Sequence, residues 1–124
     1  MNYKYYNPNP KSNSAGDCVV RMLCKVTGMP WVNAYISLVD RAISLGDMPS
    51  ANHVWWAYLE DLGFKRHIIP NTCPYCYTID DFAKDNPVGT FVVGTGTHVV
   101  AVENGNYYDT WNSGDEIPLF YFSR

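Results

Sequence analysis

Asn104-Gly105 sits between two β-rich runs, His98-Val99-Val100-Ala101-Val102-Glu103 and Asn106-Tyr107-Tyr108-Asp109-Thr110-Trp111. An Asn-Gly pair in that setting is the strongest short-range signal for a two-residue hairpin turn. In the register it imposes, Glu103 faces Asn106, Val100 faces Asp109 and His98 faces Trp111. His98 and Val100 then share a face, and Asp109 lies diagonally across from His98. Such diagonal neighbours have Cα atoms roughly 7–8 Å apart, within reach of longer side chains. A three-residue loop would reverse the parity and send Asp109 to the other face. Taken alone, His98 reads as a hydrogen-bonded strand histidine and Asp109 as an edge carboxylate. Together they form an imidazole with an orienting acceptor, and chemistry then needs a nucleophile.

A chain of 124 residues, 47% of them apolar, is expected to form a single domain, residues 1–124, with a real core. The formal charge of −3 and the lack of a basic stripe argue against nucleic acid or an anionic membrane as the main partner. No run approaches the ~18 apolar residues of a membrane span. Residues 1–13 are polar, so no secretory signal is expected there. Four cysteines without such a signal point to a reducing cytoplasm and free thiols.

In chain order, residues 1–16 read as extended or looped, because Asn7-Pro8-Asn9-Pro10 and Asn13-Ser14-Ala15-Gly16 resist helix. Asp17 reads as the N-cap of a helix whose apolar positions, Val19, Val20, Leu23 and Val26, recur at three and four before Gly28. Cys18 is then the first helical residue, where unpaired amides and the positive dipole end favour a thiolate. Alone, Cys18 reads as a small buried hydrophobe in a core helix. A second helix opens at Pro30 and ends before Gly46. A third spans about Ala51 to Leu62. Phe64–Ile69 reads as a strand, Pro70–Tyr77 as a loop, and Thr78 as the cap of a short helix through Ala83. Thr90–Gly94, His98–Glu103, Tyr107–Trp111 and Leu119–Phe122 read as strands. Helices followed by an antiparallel sheet make an α+β fold.

A helix-starting Cys, a later strand His and an Asp on the next strand resemble the papain-like cysteine peptidases, above all the small bacterial and phage proteins of that type. The resemblance implies a minimal papain-like domain with N-terminal helices packed on a C-terminal antiparallel sheet. It implies Cys18 as nucleophile, His98 as general base and Asp109 as the residue orienting it. Asp109-Thr110-Trp111 is similar to the family's Asn-Ser-Trp, so Trp111 is implied as the indole shielding the His–Asp bond. The family's oxyanion Gln, about six residues before the Cys, is replaced by Ser12. Asn13 is the nearest amide able to donate, with Asn9 a poorer choice and the Cys18 backbone N–H the second donor. Asp17 departs from the pattern as an acid beside the proposed thiolate, unless its carboxylate turns to the helix amides and Arg21.

The implied activity is cleavage of an amide bond in a peptide or protein substrate through a thioester. No cofactor or metal is expected, and the implied setting is cytoplasmic, that of the bacterial host if phage-encoded. The same triad also serves deamidase, transglutaminase or acyltransferase chemistry. From another class comes a non-catalytic binding or inhibitor protein on the same scaffold. Cys73-Pro74-Tyr75-Cys76 matches the glutaredoxin dithiol, yet the hairpins after it do not fit a thioredoxin-like order. A tetrahedral zinc would need two ligands besides Cys73 and Cys76, and only the scattered Cys24, His53 and His67 are available. His53 reads as a buried or capping histidine.

Overall fold

A computed structural model describes residues 2–124. Their ten elements are β1 (Tyr3–Tyr5), α1 (Cys18–Thr27), α2 (Trp31–Leu45), α3 (Asn52–Asp61), β2 (Lys65–Ile68), α4 (Ile79–Asp85), β3 (Thr90–Gly94), β4 (Val99–Glu103), β5 (Asn106–Asp109) and β6 (Phe120–Ser123). The fold is α+β, with one sheet in the order β1-β5-β4-β3-β6-β2. Among the described residues no helix is long and apolar enough to cross a membrane.

Two expectations about the sheet need correction. It is mixed, not antiparallel, because Tyr3–Tyr5 joins its edge parallel to β5. Nor is it purely C-terminal, since β1 precedes every helix and β2 precedes α4. The N-terminal segment is extended, as its residues dictate, but only tertiary pairing could reveal its partner.

The apolar run of β4 is explained by burial on both faces. Val92, Val99 and Ala101 pack with α1, α2 and α3, whereas Val93, Val100 and Val102 pack with Ile79, Phe82 and Ala83 of α4. The sheet is therefore the middle of three layers. Leu23 and Val26 of α1 are buried against it. Full burial of such a side chain is worth roughly 1.5–3 kcal/mol, against about 0.3–1 kcal/mol for a charge at a helix end. Packing, not capping, fixes where α1 begins and hence where Cys18 lies.

The Asn104-Gly105 turn has two residues, at φ 50° and 81°, and pairs Glu103 with Asn106, Val102 with Tyr107 and Ala101 with Tyr108. This is the register expected. Asn and Gly are the residues that adopt positive φ at least cost. A second glycine is required by space. A Cβ on Gly94 would lie 2.2 Å from the Phe120 ring, so the strand leading to His98 can run beside β6 only without a side chain there.

The expectation of four free thiols needs correction. Cys73 and Cys76 are joined in a disulfide, leaving Cys18 and Cys24 as thiols. The bridge lies in the surface loop between β2 and α4, where Tyr75 is largely exposed. His53 is exposed and pairs with Asp47 at 3.2 Å, so it is neither buried nor a cap.

Candidate active site

α1, β4 and β5 converge at one end of the sheet. There a cleft of about 520 Å³ is lined by Cys18 and His98 on one side and by Leu38, Met48, Asn52 and Trp55 on another. Cys18 is the first residue of α1 and is half-buried. His98 immediately precedes β4, in a tight turn held by the Thr95 side chain. Its backbone N–H donates to Thr95 Oγ1 at 3.0 Å, and its carbonyl accepts from the Thr95 N–H at 2.8 Å.

Asp109 ends β5 and is almost fully buried. His98 Nε2 lies 2.6 Å from Asp109 Oδ2. With Nε2 committed, Nδ1 is the ring atom left for the Cys18 thiol, with which His98 hydrogen-bonds. The other Asp109 contacts all come from donors. Ser113 Oγ donates to Oδ2 at 2.6 Å, while Arg21 Nη2 at 3.1 Å and the Thr110 N–H at 2.8 Å donate to Oδ1. The segment that continues the unexpected β1 also has a role here, because the N–H of Tyr6, the residue after that strand, donates to the Asp109 carbonyl at 2.8 Å. Trp111 lies past β5 and is half-exposed, its ring centroid 5.2 Å from that of His98.

The protonation states follow from these contacts. Burial pushes the Cys18 thiol up. The His98 hydrogen bond, the Val99 backbone amide and the charges of His98 and Arg21 outweigh it, and the thiol falls below its ordinary value. Burial likewise disfavours the His98 imidazolium, but hydrogen bonds to Asp109 and Cys18 raise it to about 9. Burial acts on Asp109 in the opposite sense to its hydrogen bonds with His98 and Ser113, and these hold its carboxyl below the ordinary carboxylate range. These contacts shift Cys18 toward thiolate, His98 toward imidazolium and Asp109 toward carboxylate. Cys24 contrasts with it, since burial pushes that thiol up to about 11.

Asp17 occupies the N-cap position of α1 without a side-chain capping bond. Its Oδ1 takes Arg21 Nη1, and its Oδ2 accepts from Trp31 Nε1 at 2.9 Å. The carboxylate is thus turned to partners and not to the thiolate.

Asn13 is not brought to the site. Ser12 turns the chain at φ 55°, Asn13 is exposed with its carbonyl taking Asn7 Nδ2 at 3.2 Å, and it does not line the cleft. The side-chain amide that does is Asn52. Trp55 Nε1, which can only donate, lies 3.2 Å from Asn52 Oδ1 and leaves Nδ2 as its free donor. Sequence reasoning missed Asn52, whose place depends on how α3 packs, and the Arg21–Asp109 bond. A signal for Arg21 existed: it stands at i+3 from Cys18, among positions that must be buried. Among the described residues no three His, Cys, Asp or Glu side chains are placed to hold a metal ion.

The comparisons add no relative. No family model, curated protein or solved structure matches this chain.

Proposed function

We propose that this protein is a thiol hydrolase of papain-like type, cleaving a peptide or isopeptide bond through Cys18, His98 and Asp109. The observation that carries this reading is the 2.6 Å contact between His98 Nε2 and buried Asp109. It turns the opposite ring nitrogen toward a thiol at a helix N-terminus, in a cleft open to substrate. A structural ion pair needs neither the thiol nor the cleft.

In the reaction, Cys18 Sγ attacks the carbonyl carbon and the carbonyl electrons move to oxygen. The Cys18 backbone N–H, free of helix bonding at this position, is a donor for that oxyanion. The imidazolium gives its Nδ1 proton to the leaving nitrogen as the C–N bond breaks, leaving a thioester. Neutral His98 then takes a proton from water, which attacks the thioester. The acid is released, the thiolate is regenerated and the proton stays on His98. Asp109 holds the ring plane throughout, and Trp111 covers the ring.

The cleft suits an uncharged, apolar stretch of substrate. Val20, Leu38 and Trp55 line it, and its carboxylate, Asp17, is already engaged. A non-catalytic binding protein is the second reading. It is favoured by the outer face of α2, where Val32, Ile36 and Ile43 are exposed.

A peptide-coumarin library separates the two. The hydrolase reading expects release of coumarin that Cys18→Ala abolishes. Binding of peptides with no turnover, equal in wild type and Cys18→Ala, would favour the second.

A further inference from the structure

Arg21 is the buried cation between the two carboxylates of this site. Its Nη2 lies 3.1 Å from Asp109 Oδ1, its Nη1 is on Asp17 Oδ1, and its side chain is 6% exposed. It stands three residues after the nucleophile, on the helix that carries it. Asp17 immediately precedes that nucleophile, so an uncompensated carboxylate there would oppose thiolate formation.

We propose that Arg21 is a positioning residue whose single charge serves Asp17 and Asp109 at once, so that Cys18 can ionise beside an acid. With the thiolate and imidazolium formed, the cluster holds three anions and two cations. Without Arg21 it would hold three anions and one cation. The two Arg21 bonds also tie the segment before the nucleophile to the residue that orients the base, although 92 positions separate Asp17 from Asp109 in sequence.

Among the described residues, the ionisable groups near Cys18 are few. Asp17 and Arg21 belong to its own segment, Tyr35 of α2 lines the same cleft, His98 precedes β4 and Asp109 ends β5. From α3 come only Asn52 and Trp55, and from the turn before His98 only Thr95 and Thr97. Lys25 and Glu103 lie farther along α1 and β4 and pair with each other at 3.9 Å. The charge balance at Cys18 is therefore set chiefly by the four groups of the cluster.

This inference rests on Cys18 being the reacting thiol, and its test needs no turnover. The second-order rate of Cys18 alkylation by iodoacetamide is measured against pH on the full chain. Arg21→Gln is expected to move the acid limb up by about one pH unit, roughly a tenfold loss of rate below the limb. Arg21→Lys should recover most of that shift. Asp17→Asn should move the limb down, and Asp17→Asn with Arg21→Gln should bring it back near wild type, whatever the plateau height. A limb that stays in place in Asp17→Asn overturns the proposal, and that variant serves even if Arg21→Gln does not fold. So does an equal upward shift in Arg21→Gln and the double variant. A wild-type Cys18 no more reactive than an ordinary thiol would instead bring down the hydrolase reading itself.

Discussion

Ser113 Oγ donates to Asp109 Oδ2 at 2.6 Å, on the same oxygen that faces His98 Nε2. Ser113 is fully buried. Asp109 therefore stands among donors on every side: His98 and Ser113 at one oxygen, Arg21 and the Thr110 amide at the other. A group with two accepting oxygens fits this position, and one with an oxygen and an NH2 does not.

Asp109→Asn tests that fit. In a thiolate–imidazolium site an amide oxygen could by itself hold the ring, which would make Asn nearly harmless. Here the amide NH2 must face either His98 and Ser113 or Arg21 and Thr110, and an unmet buried donor costs about 1–3 kcal/mol. Asp109→Asn is expected to lower the Cys18 alkylation rate roughly ten- to hundredfold, since ~1.4 kcal/mol is a factor of ten. Asp109→Ala, which abandons both pairs, should lose more, and His98→Ala nearly all. Circular dichroism of each variant checks that the fold survives. An Asn variant as reactive as wild type would mean that the four donors do not converge in solution.

The coupled pair leaves a mark on stability. His98 is raised from 6.5 to about 9. Alone, it would stabilise the fold fully below pH 6.5 and lose that contribution as pH rises through 9. Cys18 is lowered from 9.0. Alone, it would contribute above pH 9.0 and lose that as pH falls through its folded value. Above the folded Cys18 value, and between pH 6.5 and 9, the folded pair holds one proton, on His98, and the unfolded pair also holds one, on Cys18. The pair then adds no slope to stability against pH in that window. Cys18→Ser removes one member, so stability should decline there with rising pH, by at most about 1.4 kcal/mol per pH unit. Urea denaturation of both proteins at several pH values reads the difference. Parallel curves would rule out the ion pair.

How far the sequence carried varies with the range of the interaction. Asn104-Gly105 dictated its own turn, and from that one turn the placing of His98 against Asp109 followed, because side-chain parity propagates along paired strands. The helices were legible from spacing and from Gly28 and Gly46 at their ends. Asn13 was chosen by nearness in sequence, whereas Asn52 reaches the cleft through packing of α3. Tyr3–Tyr5 carried no sign of its parallel partner. Asp17 looked like an N-cap by its position and has that position, but a buried guanidinium outcompetes the helix amides for its carboxylate. The misses at Asn13 and at Tyr3–Tyr5 turn on long-range contacts that no local pattern encodes.

Cys73 and Cys76 should be dispensable. Their bridge closes only a four-residue segment in a surface loop, and loop-closure arguments give short loops the least stabilisation. A Cys73→Ser, Cys76→Ser double variant is expected to keep its circular dichroism spectrum and its Cys18 alkylation rate within about twofold, a loss below ~0.5 kcal/mol. Loss of the fold, or of Cys18 reactivity, would assign the pair a role that its surroundings do not suggest.

The most direct test of the triad is site-resolved alkylation near pH 6, with the modified cysteine identified by mass spectrometry. The geometry predicts rapid modification of Cys18 and none of Cys24, which is buried with its thiol pushed up to about 11. It also predicts that His98→Ala abolishes the Cys18 reaction at this pH. Cys18 reacting no faster than an ordinary thiol, or equally fast without His98, would contradict the account.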